Sequence, residues 1–226
     1  MESVNRLPGR PGSVYIPDRG VVPKTDDDDP IDFYYRPLTG YVYRKRLTMT
    51  AALLGPTKYS SLLEIGYGSG ILLPELARHA ERLTAIDIHS NREPVVTMLK
   101  GLGVDADLRR ANLYSMPFEN QTFDALFCLS VLEHLTELDR ALAEFARVTK
   151  PGATLVFGFP VRNIVTDAFF RAVGYNPRTL HPSGHRDIER AIRARPDLRL
   201  VRRDTFPARL PVDLALYCSC RCVRAG

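Results

Sequence analysis

The chain has 226 residues, 45% of them hydrophobic, enough for one substantial core and too few for several large domains. Its formal charge of +5 comes from 31 basic and 26 acidic side chains, and the basic set is 26 Arg and only 5 Lys. The excess is local, since residues 162–226 hold 13 Arg against 6 acids; a nucleic-acid partner is permitted by charge but not required.

Residues 1–30 are rich in Gly, Pro and charge and end in the self-repelling run Asp26 to Asp29, which offers nothing to bury, so a flexible segment is expected. Residues 31–56 change character. Phe33, Tyr34, Tyr35, Tyr41, Tyr43, Leu47, Met49, Leu53 and Leu54 supply apolar surface for a helical cap of one or two helices, with Pro37 and Gly40 expected to break the first piece. Ser61 to Gly66 reads as a strand and Ile71 to His79 as a helix, with Gly66, Gly68 and Gly70 in the turn between them. Leu83 to Ile88 is a second strand, Glu93 to Lys100 a helix, and Ala106 to Ala111 a third strand.

Phe123 to Leu129 is almost uniformly apolar, as a central parallel strand covered on both faces requires. Glu137 to Thr149 supplies the next helix, and Pro151-Gly152 turns the chain into a fifth strand, Ala153 to Phe159. A substrate-side insertion is expected over 160–197, with a helix around Ile164 to Val173, a polar loop from Asn176 to Ser183 and a helix from Asp187 to Arg195. Leu198 to Phe206 and Leu214 to Val223 then read as a terminal antiparallel hairpin. The alternation predicts a three-layer α/β fold: a mainly parallel, seven-stranded, Rossmann-like sheet over residues 57–226, binding ligands at its C-terminal edge.

No apolar run follows a basic stretch near Met1, and no segment reaches the ~20 apolar residues that cross a bilayer, so secretion and membrane spanning are disfavoured. Cys128 stands alone, and Cys218, Cys220 and Cys222 alternate within five residues. A reduced, cytoplasmic protein is the simpler reading.

The strand–turn–helix around Glu64-Ile65-Gly66-Tyr67-Gly68-Ser69-Gly70 places glycines and free backbone N–H groups beside a ligand. The spacing is not Gly-x-Gly-x-x-Gly and lacks the Gly-Lys-Ser/Thr ending of a triphosphate loop, which disfavours a pyrophosphate. Asp87, at the end of the second strand, can accept both hydroxyl protons of a ribose. Asn112, after the third, can accept from an adenine amino group while Leu113 packs on the ring. Ribose without pyrophosphate points to an adenosyl ligand.

Over roughly Thr57 to Phe159 the chain resembles the class I S-adenosylmethionine-dependent methyltransferases, of the broad small-molecule type. The resemblance rests on Leu63 to Gly70, Ala85-Ile86-Asp87, Ala111-Asn112-Leu113, Met116 to Asp124 and Val131-Leu132-Glu133-His134-Leu135. It implies that Glu64, Gly66, Gly68 and Gly70 surround the methionine part of S-adenosylmethionine, Asp87 binds the ribose, Asn112 and Leu113 sit at the adenine, Leu129 and Ser130 border the cofactor, and Tyr67 and Ile88 are further cofactor-binding residues. It departs from many relatives at Asn112, where they carry Asp, and at Tyr67, which is bulky for a glycine turn.

The reaction implied is direct methyl transfer from sulfonium to a nucleophile, for which the protein supplies orientation, desolvation and sometimes a base, and no metal. His134, after the fourth strand, is the candidate base; the bland reading is a histidine that caps its own short helix. His181 and His185, in His-Pro-Ser-Gly-His, are candidate substrate contacts, the alternative being ordinary loop and helix-start capping. With Asp187 as the only near partner, they make no convincing metal set. Tyr34, Tyr35 and Tyr41 are candidate substrate contacts from the cap, against simple burial on the sheet edge. Cys218, Cys220 and Cys222 share one face of a strand, so burial against a helix is expected and any metal would need ligands from elsewhere in the fold.

Arg186, Arg190, Arg193, Arg195, Arg199, Arg202 and Arg203 form either a basic recognition surface or a dispersed solvent face. The segment Leu129-Ser130-Val131-Leu132 does not resemble the Asn/Asp-Pro-Pro-Tyr of amino-directed nucleic-acid methyltransferases, and a Pro-Cys nucleophile is absent. The preferred reading is methylation of a small organic acceptor, oxygen ahead of nitrogen or carbon, by a monomer or homodimer. Its competitors are RNA or protein methylation through the Arg-rich third, and a non-catalytic cofactor-binding scaffold.

Overall fold

A computed structural model describes residues 14–25, 29–164, 166–167 and 181–226. Seven strands make one sheet: β1 (Tyr59–Ile65), β2 (Ala80–Asp87), β3 (Asp107–Arg110), β4 (Phe123–Leu129), β5 (Thr149–Pro160), β6 (Leu198–Phe206) and β7 (Tyr217–Arg224), in the order β3-β2-β1-β4-β5-β7-β6. The pairs β3/β2, β2/β1, β1/β4 and β4/β5 are parallel. β7 is antiparallel to both β5 and β6, which makes β6 parallel to β5 and puts the later strand of the hairpin on the inside. The strand order reverses between β1 and β4, and the crevice of an open parallel sheet lies above such a point.

The helices named among the described residues are α1 (Pro37–Ala51), α2 (Leu73–Leu76), α3 (Arg92–Gly101), α4 (Leu138–Val148) and α5 (His185–Ala194). Leu142 and Phe145 of α4 and Ile188 and Ile192 of α5 pack one face of the sheet; Leu47 of α1, Leu73 of α2 and Val95 and Leu99 of α3 pack the other. Burial of β4 on both faces accounts for its unbroken apolar run.

Four local expectations change. Pro37 starts α1 at its first turn, where its missing N–H costs nothing, and Gly40 lies inside that helix. A Cβ at Gly40 would approach the Tyr34 carbonyl oxygen to 2.6 Å, so the glycine serves a close approach and breaks nothing. The helix expected from Ile71 shortens to α2 plus a 3-10 turn, Ala77–His79, because Gly70 to Leu72 still belong to the turn and Pro74 must lie in a first helical turn. Pro151-Gly152 does not end the strand element but shifts its register, so that Phe123 faces Thr149 and Ala125 faces Thr154.

Residues 14–25 are laid against the domain. Val22 is buried, the Tyr15 N–H donates to Glu75 Oε2 at 2.9 Å and Arg19 pairs with Asp32 at 2.8 Å. Residues 1–13 and 26–28 of the expected flexible segment are outside the described residues, as are most of the helix expected over Ile164 to Val173 and all but the end of the loop expected to Ser183.

Candidate functional site

β1 delivers the chain into the crevice at Gly66, whose N–H donates to the Ile86 carbonyl at 2.8 Å. Gly66 adopts φ +77° and a Cβ there would meet Val131 Cγ2 at 2.4 Å, so both backbone and space exclude a side chain. Gly68 and Gly70 also have positive φ. The Asp87 carboxylate anchors this turn from the end of β2: Oδ2 accepts from Gly68 N at 2.8 Å, and Oδ1 accepts from Ile88 N at 2.7 Å and His89 N at 3.2 Å. Three of roughly four lone-pair positions are used, which fixes the carboxylate and leaves it able to accept from a ligand hydroxyl. His89 Nε2 lies 3.1 Å from the Gly68 carbonyl and its ring meets Tyr67 edge-on at 4.9 Å.

Tyr67 solves the problem of its bulk by pointing into the core, where it is 4% exposed. Burial and the Asp87 charge push its phenol up to about 12. Glu64, 4% exposed, has an Oε2 with no hydrogen-bond partner, and burial followed by repulsion from Asp87 pushes its carboxyl up to about 8.

At the end of β4, Leu129 is half-buried and Ser130 takes a left-handed conformation, φ +56°, uncommon for a residue with a Cβ. Its N–H donates to the Gly158 carbonyl at 2.7 Å, and its Oγ lies 3.0 Å from the Tyr217 hydroxyl. Here α1 closes over the sheet: Thr50 Oγ1 is 2.6 Å from Ser219 Oγ, and Gly158 leaves it room.

The closure brings in a cation that the sequence reading does not name. Arg46 stacks over Tyr43 at 4.2 Å, Tyr34 at 5.2 Å and Tyr217 at 5.9 Å, and its Nη2 donates to the Tyr34 hydroxyl at 2.5 Å. Its Nε is buried with no hydrogen-bond partner. Burial alone would lower its pKa, but Tyr34, Tyr217 and Tyr43 hold it above the ordinary value. The signal was present as helical spacing: Tyr43, Arg46, Leu47 and Thr50 fall on one face of α1, so Arg46 shares the stripe of the buried Leu47.

The 3-10 turn Leu132–His134 follows Ser130. His134 is exposed, and its ring meets that of His181 edge-on at 5.0 Å. Ser183 makes this meeting possible, since its N–H donates to the Glu133 carbonyl at 3.2 Å and its Oγ donates to the Leu135 carbonyl at 2.5 Å. Burial, then the neighbouring His134, depress His181 to about 4, which keeps it neutral. Glu133 is buried beneath the pair, and burial pushes its carboxyl up to about 8, against the pull of its own backbone and of Arg46. One ligand-type atom from each of Glu133, His134 and His181 lies within 4.8 Å of the others.

The remaining candidates are dispersed. Asn112 Oδ1 accepts from Tyr114 N at 2.9 Å, an Asx turn that shapes the loop, and Leu113 packs against the core beside it. Ile88 is 69% exposed at the rim. Tyr34 belongs to the Arg46 cluster, whereas the Tyr35 hydroxyl donates to the Pro17 carbonyl at 2.6 Å and Tyr41 is 60% exposed against Phe206. His185 accepts the Arg162 N–H at Nδ1, so Nε2 carries the proton toward Asp213 Oδ1 at 2.8 Å. His185 therefore opens α5 with both nitrogens engaged. It also lines an open cleft of about 850 Å³ with Arg162, Asn163, Arg186 and Asp213. Of the seven arginines in the Arg-rich segment, five pair with acids: Arg186 with Asp213, Arg190 with Asp187, Arg195 with Asp197, Arg202 with Asp204 and Arg203 with Glu189. No helix among the described residues is long and apolar enough to cross a membrane.

Residues 63–157 match a family model described as a methyltransferase domain. The fold is that of the class I S-adenosylmethionine-dependent methyltransferases. An N-methyltransferase, NodS from Bradyrhizobium japonicum WM9, solved with S-adenosyl-L-homocysteine, is similar over 92% of this chain and 97% of its own, with a TM-score of 0.66 and 22% identity. A geranyl diphosphate methyltransferase solved with its diphosphate and sinefungin is similar over 95% of this chain and 89% of its own, with a TM-score of 0.68 and 15% identity. In sequence, a ubiquinone biosynthesis O-methyltransferase of Hahella chejuensis is 37% identical over 106 residues, 45% of this chain and 44% of that protein. The chain thus spans about half the length of such curated relatives. In this fold the glycine turn, Asp87 and Ser130 lie at the carboxyl ends of β1, β2 and β4, beside the strand-order reversal.

Proposed function

We propose that the protein transfers a methyl group from S-adenosylmethionine to an oxygen of a small organic acceptor. The observation that carries the reading is the Gly68–Asp87 hydrogen bond, which joins the turn after β1 to the acidic end of β2 and so prepares one crevice for both the methionine and ribose portions. Asp87 accepts from a ribose hydroxyl, Asn112 and Leu113 flank the adenine, and Glu64 becomes ionised against the methionine ammonium. Arg46, with its unpartnered Nε, offers a charge-assisted hydrogen bond to the methionine carboxylate.

In-line transfer needs the acceptor oxygen on the face of the methyl carbon opposite the sulfonium sulfur, held dry and relieved of its proton, so that the C–O bond forms as the C–S bond breaks and the thioether leaves. His134 is the exposed imidazole at that mouth and takes the hydroxyl proton through one ring nitrogen. His181, neutral at physiological pH, packs against the His134 ring and holds its orientation. The acceptor oxygen agrees with the named activity of the Hahella chejuensis relative. Five of the seven arginines named between Arg186 and Arg203 are held in ion pairs by neighbouring acids, so although the segment keeps its net positive charge they give little support to a phosphate-binding surface for RNA.

The test has two stages. Calorimetry with S-adenosylmethionine and S-adenosylhomocysteine is expected to show one site, which Asp87→Ala abolishes. Labelled methyl is then offered to panels of hydroxylated small molecules, amines, RNA and protein. Label in a hydroxyl compound is the expected result; label confined to RNA or protein, or a folded protein that binds neither cofactor form, overturns the reading.

A further inference from the structure

Cys218, Cys220 and Cys222 alternate on β7 and face the helix side of the sheet, fully buried and all in the thiol form. A strand alone lines such sulfurs up in a row and cannot surround an ion. The fold adds a third ligand from another element, because Glu189, on α5, presents Oε1 3.9 Å from Cys218 Sγ. Cys218 Sγ and Cys220 Sγ are also 3.9 Å apart, and the three ligand atoms lie within 4.8 Å of one another.

We propose that Cys218, Cys220 and Glu189 form a site for a thiophilic divalent cation, zinc being the natural occupant. The separations match the chemistry. Zinc–sulfur bonds of about 2.3 Å in a tetrahedron place two sulfurs about 3.8 Å apart, and a carboxylate oxygen at about 2.1 Å from the metal lies about 3.6 Å from each sulfur. Two thiolates select a borderline-soft ion over magnesium or calcium. Binding exchanges two thiol protons, released to solvent, for the cation.

Charge is balanced by a residue already in place. Arg203 Nη1 is 3.2 Å from both Glu189 oxygens, and Arg203 is the register partner of Cys220 on β6. Two thiolates and a carboxylate are offset by a divalent ion and one guanidinium, and Arg203 orients the carboxylate as an outer partner does in metal sites. Arg203 is 39% exposed at its side chain and Glu189 14%, so the cluster lies at the rim of the buried face, within reach of an ion and of a water as fourth ligand. The ion would staple α5 to β7.

The full-length protein, stripped by chelator under reductant, is titrated with Co²⁺ and then with Zn²⁺. Expected are a sulfur-to-cobalt charge-transfer band and intense tetrahedral visible bands saturating at one equivalent, both displaced by Zn²⁺, and a higher Tm in zinc. Cys218→Ser and Cys220→Ser each lose the charge-transfer intensity, Glu189→Gln weakens the ion at least tenfold, and Cys222→Ser, one step along the same strand, keeps it. Glu133, His134 and His181 contain no sulfur, so an ion bound there gives no such band. Absence of the band in the wild-type protein overturns the proposal whatever the variants do; so does its equal loss in Cys222→Ser.

Discussion

Glu64 offers a prediction that isolates one buried proton. Its carboxyl stands at about 8 in the folded chain, raised by burial and then by Asp87, against an ordinary value near 4.5. Between those values the folded protein keeps the proton and the unfolded chain loses it, so the folded state binds more protons and stability falls as pH rises. The contribution is fully present below about pH 4.5 and lost by about pH 8, at roughly 1.4 kcal/mol for each pH unit, close to 5 kcal/mol in all. Glu64→Gln removes the titration with almost no change of shape. Glu133 titrates over the same window in both proteins, so it cancels from the comparison.

Urea unfolding at pH 5, 6, 7 and 8 reads the effect directly. At pH 5 Glu64→Gln is expected to lie within about 2 kcal/mol of wild type, the cost of a buried amide without partners. The variant should then gain on wild type by about 1.4 kcal/mol per pH unit up to pH 8. Saturating S-adenosylhomocysteine should flatten the wild-type profile and not that of the variant, since the proposed function sets its ammonium against Glu64. Parallel profiles for the two proteins without ligand would refute the assignment of a protonated buried carboxyl.

The other expectations concern the site. His134→Ala should lower kcat by about 10²- to 10⁴-fold with cofactor affinity unchanged, read by labelled-methyl kinetics and calorimetry; unaltered turnover assigns His134 a packing role. Arg46→Met should weaken S-adenosylhomocysteine binding by about 10- to 100-fold, the worth of a charge-assisted hydrogen bond, and an unchanged Kd removes Arg46 from the cofactor. Gly66→Ala places a Cβ 2.4 Å from Val131 Cγ2 on a φ of +77° and should cost about 3 kcal/mol or more. Adding Val131→Ala should recover the steric part alone, measured by urea unfolding; full recovery would show that the backbone conformation is unstrained.

Features with a local cause were legible in the sequence. The apolar run of β4 reports burial on two faces, and the glycine spacing after Glu64 reports a turn whose three glycines all take positive φ, with close neighbours at Gly66 and Gly70. Gly40 misleads because a glycine inside a helix reads as a break, while its use is the close passage of the Tyr34 carbonyl. The packing of residues 14–25 escapes for a similar reason, since Val22 is buried by surfaces far along the chain and not by any pattern of its own.

The site is legible where neighbouring strand ends supply it. Asp87 and the glycines meet through adjacent strand ends, a relation the alternation of strands and helices already implies. His134 and His181 meet because Ser183 bonds to the 133–135 turn, and Cys218 meets Glu189 because α5 crosses β7; neither contact leaves a trace in spacing. Arg46 is the instructive case. A charge on an amphipathic helix is read by default as solvent-facing, and only the three aromatic rings gathered from the cap and β7 make a buried guanidinium tolerable. The arginines of residues 162–226 pointed elsewhere, yet several of them are held by neighbouring acids, and the buried cation comes from α1, outside that segment.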